Sequence, residues 1–289
     1  MDYIFHIVTL LGIYAILAVS LDILVGESGL LSIAHGAFAS LGAYATAIIT
    51  VKIGWPALSA ILVGMIVSGI LSLGLAFASL RVRGDYFAVS TFGFHVIVYR
   101  ILDNWVPVTG GPMGIPGVPP IFSEPGLDQN VVMALTTTLL AGASWLTVDR
   151  VRRSPFGRAL RIARDDDIFA ESIGKSVLLL RCQAVSLGGA LAALAGSLYA
   201  HHLSYVDASA FTVMESILVL AMVAVGGAGS RFGPLLGACL LVLLPEVLRF
   251  VGFPSSIAAI LRQFMFGIFL VLVVLWRPQG LLGAHGVLR

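Results

Sequence analysis

Long apolar runs dominate this 289-residue chain and limit it to folds that a lipid bilayer can hold. Charged residues make up 11% of the sequence, less than half of the roughly 25% that is usual in a soluble domain. Most runs approach or exceed the length of about 20 residues that crosses a bilayer, and they are continuous rather than alternating. The sequence therefore predicts an all-α, polytopic membrane helical bundle. The apolar runs are 3–25, 30–51, 57–80, 86–102, 131–148, 177–200, 213–225, 234–251 and 257–276.

Two of these runs, 86–102 and 213–225, are short for a complete crossing. Broken helices are tolerated at membrane depth only where protein or a water-filled cavity surrounds them. We therefore expect about eight or nine hydrophobic segments, some broken or re-entrant, in a single transmembrane domain over residues 1–289. The first run lacks the basic start and the cleavage site of a signal peptide, so we expect it to remain as a membrane helix.

The distribution of Lys and Arg predicts which side of the membrane each loop occupies, because cytoplasmic loops are enriched in basic residues. The loop 103–130 has acidic residues but no Lys or Arg, so we expect it outside. Counting the segments then places the N-terminus outside and the C-terminus in the cytoplasm, with Lys52 as an exterior exception. The predicted cytoplasmic basic residues are Arg81, Arg83, Arg231, Arg277 and those of 150–175.

A polar segment, 150–176, interrupts the apolar sequence and carries seven of the seventeen basic residues. Ser154-Pro155 is a typical helix start, and three arginines then recur at intervals of three along an amphipathic helix. Such a helix can bind anionic lipid, but Asp165–Asp167 and a protruding Phe156 favour a protein. We interpret the segment as a cytoplasmic docking surface for a soluble partner. The three arginines are Arg158, Arg161 and Arg164.

Two polar interruptions of the apolar runs are candidates for the path of a transported solute. The first is a glycine-rich stretch with Ser32 and His35, where a helix break would expose backbone N–H and C=O groups at membrane depth. The second contains Ser90, Thr91 and Gly93, whose hydroxyls and open backbone suit a polar or zwitterionic solute. The alternatives are a structural histidine bonded to a neighbouring carbonyl, and hydroxyls bonded to their own helices.

The exterior loop 103–130 is rich in Gly and Pro, which force turns. A long loop in a compact protein is usually either functional or disordered. Thr109, Gly110 and Gly111 are therefore candidates for contact with an external donor protein. A passive connector is the alternative.

The sequence offers no recognisable catalytic or metal-binding pattern. Gly174-Lys175-Ser176 looks like the end of a P-loop, but that motif needs a glycine five positions before its last glycine, where this chain has Phe169. Cys182 and Cys239 lie singly in apolar runs, which is typical of small buried side chains. We expect neither an enzyme nor a metal site, and no nucleic-acid partner.

Six motifs along the chain resemble, in their order, the permease subunits of branched-chain amino acid ABC importers. The resemblance covers nearly the whole chain and is closest to the second of the two paired permeases in such systems. The motifs are GLLSIAHGAFASLGAY, RVRGDYFAVSTFGF, TGGPMGI, SPFGRALRIARDDDIFAESIG, VGGAGSRFGPLLGA and RPQGLLG.

This resemblance implies partners and a location in the bacterial inner membrane. The partners are a second, homologous permease subunit, two cytoplasmic ATPase subunits that hold ATP and Mg, and a periplasmic or extracellular solute-binding protein, with membrane lipid around the bundle. The Ser32–His35 and Thr91–Gly93 regions would lie near the translocation path. The residues that the resemblance places in a coupling helix, seated in a groove of an ATPase, are Gly157, Arg158, Arg161, Arg164, Asp165 and Gly174.

We therefore expect the permease subunit of an ATP-driven importer, forming the path for branched-chain amino acids or a similar small polar solute and needing no cofactor of its own. Urea, short amides and aromatic carboxylates remain open as solutes within the same family. An ion-gradient-driven secondary transporter is the alternative from another class, and a non-transporting scaffold is a third. The ionisable residues in the apolar runs form no ladder of acids such as a proton relay needs, which disfavours the secondary transporter.

Overall fold

A computed structural model describes residues 2–79, 86–122, 128–250, 267–268 and 279–282, with the backbone alone for 247–250. Within these ranges the chain is predominantly helical, and most helix ends lie within a few residues of the ends of the apolar runs. The α-helices are α1 (Asp2–Asp22), α2 (His35–Ile48), α3 (Ala57–Ser79), α4 (Tyr86–Asn104), α5 (Val106–Thr109), α6 (Gln129–Arg153), α7 (Pro155–Asp165), α8 (Asp167–Ser172), α9 (Val177–Leu203), α10 (Val213–Gly226) and α11 (Gly233–Phe250).

Six helical stretches are long and apolar enough to cross a membrane, which confirms a polytopic all-α protein. Helix α4 has 19 residues, enough for about 28 Å, but its hydropathy falls below that of the six. Helix α11 contributes a shorter apolar stretch. The predicted run 257–276 lies almost wholly outside the described residues, as do Arg81, Arg83 and Arg277. The six stretches are Asp2–Glu27, His35–Ile53, Ala57–Ser79, Gln129–Arg153, Val177–Leu203 and Ala208–Gly226.

Helix α9 packs against α1, α2 and α3 at the centre of the bundle. The α2–α9 contact is made through backbone and small side chains: a Cβ on Gly42 would lie 2.3 Å from the carbonyl oxygen of Ala193, and one on Gly196 would lie 1.9 Å from that of Ala39. In lipid, where no water drives apolar helices together, such close approach is a main source of helix association. The small-residue spacing in α9 therefore serves packing within this subunit.

The chain leaves helical geometry inside the bundle between α1 and α2. Helix α1 ends in a π-helical turn, Ile23–Glu27, and α2 begins at His35. Most of residues 28–34 between them are buried. The predicted apolar run 30–51 is therefore a non-helical stretch followed by a helix, and its glycine-rich start is the broken part.

A second break, 227–232, separates α10 from α11. The carbonyl groups at the end of α10 would lack helical partners, as at any helix end. Leu281 and Leu282 supply them: their backbone N–H groups donate to the carbonyl oxygens of Val225 (2.8 Å) and Gly226 (3.0 Å). The described part of the closing motif, 279–282, thus covers the end of α10.

Two short strands depart from the all-α expectation. β1 (Ile115–Pro116) and β2 (Tyr205–Val206) pair antiparallel, with Ile115 opposite Val206. Each has only two residues, and they join the loop after α4 to the end of α9. The pairing satisfies backbone groups in a turn-rich loop, and it leaves the bundle helical.

Candidate functional site

The polar segment 150–176 folds into two short helices joined to the end of α6. Ser154 begins α7 as predicted: its Oγ accepts a hydrogen bond from the backbone N–H of Gly157 (3.2 Å), with Pro155 at the first helical position. Asp166 begins α8 in the same way, accepting from the N–H of Phe169 (2.9 Å). Gly174, with φ +76°, follows α8 in a left-handed turn.

The side chains of Arg161 and Arg164 point toward the bundle rather than away from it. Arg161 Nη1 lies 2.7 Å from Glu27 Oε2, and Arg164 Nη1 donates to the carbonyl oxygen of Gly26 (2.6 Å). Both acceptors belong to the π-helical turn at the end of α1. These two predicted docking residues therefore attach α7 to the transmembrane helices.

Arg152, at the end of α6, completes a buried group of charges. It forms an ion pair with Asp22, lies 3.1 Å from Glu27 (Nε to Oε1) and donates to the carbonyl oxygen of Ser230 (2.7 Å). Asp22 is 0% exposed and Glu27 is 2% exposed. Buried carboxylates persist only when paired, because desolvating an isolated charge is costly. We call Asp22, Glu27, Arg152 and Arg161 the ion cluster.

The ion cluster joins both helix breaks to the polar segment. Asp22 also accepts a hydrogen bond from the N–H of Gly229 (2.8 Å), which lies in the second break. One set of charges therefore connects the end of α1, the end of α6, the α10–α11 break and α7. Ion pairs and hydrogen bonds therefore join α7 directly to these helix ends.

Another part of the surface of the polar segment is exposed. Arg158 and Asp165 lie exposed on α7, and two large apolar side chains are exposed on α8: Ile168 at 81% and Phe169 at 55%. We call Arg158, Asp165, Ile168 and Phe169 the open face. Of the other predicted coupling residues, Phe156 is half-buried, Gly157 is buried and Gly174 is exposed.

Around the first break, polar side chains form a closed hydrogen-bonded group. Thr91 Oγ1 accepts from the N–H of Ile33 (3.1 Å), and His95 lies between the carbonyl oxygens of Ile33 (3.0 Å) and Phe211 (2.9 Å). His35 Nε2 is 2.8 Å from Ser20 Oγ. Thr91 and His95 hold the broken backbone in place, which favours the structural alternative for them, whereas His35 joins α2 to α1 through Ser20.

Ser32 and His35 belong to this closed interior. Ser32 is fully buried, and its Oγ accepts from the N–H of Ala34 (3.3 Å). A cavity beside Gly36 measures about 30 Å³, room for a water molecule or two but not for an amino acid. A larger groove of about 310 Å³ between α1, α9, α10 and α11 shares no residue with this group.

Ser90 and Gly93, in contrast to Thr91, lie on the outward side of α4. A Cβ on Gly93 would meet nothing within 4 Å. Arg100 and Asn104 are exposed and follow at intervals of seven and four, which keeps all four residues on one side of the helix. We call Ser90, Gly93, Arg100 and Asn104 the polar face of α4. Polar side chains at membrane depth turn toward protein or water rather than lipid, so this face needs one of those two neighbours.

The turn after α4, where the sequence predicted a contact site, is held together by hydrogen bonds. Thr109 is buried; its Oγ1 donates to the carbonyl oxygen of Leu102 (2.7 Å) and accepts from the N–H of Gly111 (3.2 Å). Gly110 and Gly111 have φ of +78° and +58°, values that favour glycine. These three residues shape the turn, and Met113, at 81%, is the most exposed of its large apolar side chains.

Lys52, the predicted exterior exception, belongs to the same turn. Its Nζ donates to the carbonyl oxygens of Pro107 (3.1 Å) and Val108 (2.7 Å). The cation thus ties the end of the second span to the loop that follows α4.

Comparison with known proteins decides the family. The model of the family described as branched-chain amino acid transport system / permease component matches residues 3–274. The chain belongs to this family. It is a permease, a transport subunit rather than an enzyme.

Curated relatives agree with this assignment. The permease is 35% identical to the high-affinity branched-chain amino acid transport system permease protein LivM of Salmonella typhimurium and to that of Escherichia coli K12, over 96% of this chain and 69% of each relative. It is 29% identical, over 58% of this chain and 49% of the relative, to the autoinducer 2 import system permease protein LsrC of Escherichia coli. No solved structure matches.

Sequence reasoning missed the centre of the permease's ion cluster. Asp22 stood out only as an ionisable residue in an apolar run, and Glu27 and Arg152 were not singled out. A signal was present, because a carboxylate at membrane depth needs a cationic partner. The partner, Arg152, lies 130 positions away in the chain and could not be named without the fold.

Proposed function

We propose that this permease is a membrane subunit of an ATP-driven importer for branched-chain amino acids, driven by two cytoplasmic ATPase subunits that bind ATP and Mg. The ion cluster is the observation that carries the proposal. It links the open face, which offers apolar and charged groups to water, to the broken ends of transmembrane helices. A passive scaffold would not require such a linkage.

The open face is the proposed seat on the ATPase. Exposed Ile168 and Phe169 supply apolar contact area, and Arg158 and Asp165 supply charges of both signs. Interfaces commonly combine a buried aromatic anchor with a charged rim of this kind. The segment 150–176 is thus the proposed coupling segment, with Arg161 and Arg164 binding the permease's own helices.

The proposed path lies outside this subunit's own closed interior. The polar face of α4 would meet a second, homologous permease, and the solute would pass between the two subunits. ATP-driven movement of α7 would pull the end of α1 through Glu27 and Gly26, and so change the cytoplasmic opening of that path. A solute-binding protein would deliver the solute at the loop 103–130.

We infer a bacterial inner-membrane location with the N-terminus outside and the C-terminus in the cytoplasm. The proximity of Arg231 to the polar segment supports this orientation: its Nε lies 3.2 Å from Asp149 on α6, at the same end of the bundle. With α4, α11 and the run 257–276 added to the six apolar stretches, the proposed count of segments is nine.

Branched-chain amino acids are the proposed solutes because both LivM relatives carry that description. Uptake of labelled leucine by cells that express the complete system tests the class. An ATP-driven importer stops when ATP is depleted and continues when the proton gradient is collapsed. The opposite result would establish a secondary transporter, and leucine uptake equal to that of cells without the permease would leave only a scaffold.

Replacing Phe169 by Ala tests the seat on the ATPase. Loss of an exposed aromatic anchor weakens an interface by about tenfold or more, so co-purification of the ATPase subunits should fall. Leu139→Ala is the matched control, because Leu139 is a large exposed apolar residue on the membrane-spanning part of α6. Equal recovery of the ATPase with both variants would exclude the open face as the seat.

A further inference from the structure

We propose that Arg100 on α4 binds the carboxylate of the transported solute, beside an apolar strip that takes its aliphatic side chain. The inference rests on the proposed function and deepens it by naming the chemistry that the path recognises. It would give the outer part of the path a fixed positive charge and a selectivity for amino acids over neutral solutes.

Arg100 is exposed and has no ion-pair partner among the described residues. Its guanidinium carbon lies 5.9 Å from the centroid of the neighbouring Tyr99 ring. A guanidinium at membrane depth without an anion is costly. An anion from outside the subunit is therefore expected, and a carboxylate matches the two-pronged geometry of arginine.

The surroundings of Arg100 match the rest of an aliphatic amino acid. A shallow groove along the open surface of α4 runs between Arg100 and Trp105, and a neighbouring subunit would have to close it into a binding site. Val96, Ile97 and Ile101 form its apolar strip. The carboxylate of a branched-chain amino acid would contact Arg100, and its branched carbons would lie along the apolar strip.

Asn104 provides the remaining polar contact. Its Nδ2 donates to the carbonyl oxygen of Arg100 (2.8 Å), which leaves its side-chain oxygen as an acceptor. A zwitterion offers an ammonium group next to its carboxylate, and that group is a donor for this oxygen. Urea and short amides lack the carboxylate, so the groove favours amino acids over these solutes.

A lipid phosphate is the simplest competing anion, because a long side chain near a helix end can reach the headgroups. Gly93 and Ser90, however, lie on the same side of α4 up to about 15 Å from Arg100 along the helix, with exposed Ile97 between them. A residue that only anchors a helix in headgroups requires no further polar positions on that side. Their presence favours a path over an anchor.

The test uses the complete transporter in proteoliposomes, with its ATPase subunits, second permease and binding protein. For Arg100→Gln, we expect the maximal rate of leucine uptake to fall at least about tenfold, as for loss of a charge-assisted hydrogen bond. Binding-protein-stimulated ATP hydrolysis should persist. Arg100→Lys should give an intermediate rate, because it keeps the charge but not the fork. Asp2→Asn, which removes an exposed charge at the start of α1, is the control and should transport normally.

Three results would overturn the inference. The first is uptake by Arg100→Gln within twofold of the wild type, as expected if Arg100 contacts only lipid. The second is loss of the second permease from the purified Arg100→Gln complex, which would make Arg100 an interface residue. The third is an equal loss of uptake in Asp2→Asn. The proposed function fails separately, if the wild-type complex takes up no leucine with ATP.

Discussion

Two regions of this permease place arginines near the ends of its apolar helices, and the arginines of the two regions differ in their partners. In the ion cluster, Arg152 and Arg161 are held by two buried carboxylates and several carbonyl groups. On the polar face of α4, Arg100 is exposed and forms no ion pair with a carboxylate of the described residues. Fully paired charges make a rigid connection, whereas an unpaired charge is available to a ligand. The contrast separates the part that would transmit force from the part that would meet the solute.

Among the variants that test this contrast, Arg152→Ala should have the largest effect. The change leaves Asp22 and Glu27 buried without their shared partner, and removing one side of a buried pair costs about 3–5 kcal/mol. We expect a large loss of folded permease, measured as the midpoint of thermal unfolding in detergent. Arg153→Ala is the control, since the Arg153 side chain is largely exposed and Asp149 keeps Arg231 as a partner, so the expected loss is about 0–1 kcal/mol. Equal midpoints for the two variants would contradict the role given to the ion cluster.

Glu27→Gln tests transmission without removing the side chain. It keeps a polar group of the same size but weakens the attachment of Arg161 to the end of α1. Coupling between sites is typically worth about 5–150-fold, so we expect solute transported per ATP hydrolysed to fall by at least about fivefold. The measurement is that ratio in proteoliposomes, with co-purification of the ATPase as the check on docking. An unchanged ratio would show that α7 acts through another contact.

A smaller effect distinguishes the two sides of α4. Gly93→Leu projects into open space on the polar face, so we expect leucine uptake to fall several-fold with no change in thermal stability. Thr91→Val removes the hydrogen bond to Ile33 in the closed interior and should cost about 1 kcal/mol of stability. Uptake that is unaffected by Leu at position 93 would remove the outward side of α4 from the path.

The sequence predicted the local features of the fold well. The apolar runs located the helices, because a bilayer demands continuous apolar segments. Ser154-Pro155 located the start of α7, because a helix cap depends on neighbouring residues alone. The glycine-rich stretch before His35 indicated the break. Each of these signals lies within a few positions of the structure that it specifies.

The direction of side chains was not predictable in the same way. The spacing of Arg158, Arg161 and Arg164 shows an arginine-rich side of α7, but periodicity alone does not say which edge of that side meets the bundle. Which edge of α7 faces the bundle depends on Glu27, which lies 134 positions from Arg161 in the chain. Ile168 and Phe169 were likewise overlooked, since apolar residues become informative as surface only when the fold leaves them exposed.

The backbone contact between α2 and α9 limits how the permease can change shape. Where Gly42 meets Ala193 and Gly196 meets Ala39, no long side chain is present that could adopt another rotamer and let the helices slide. Shear between packed helices depends on such adjustments. These two helices must therefore turn as one body during a transport cycle, and the bending is left to the non-helical stretches 28–34 and 227–232.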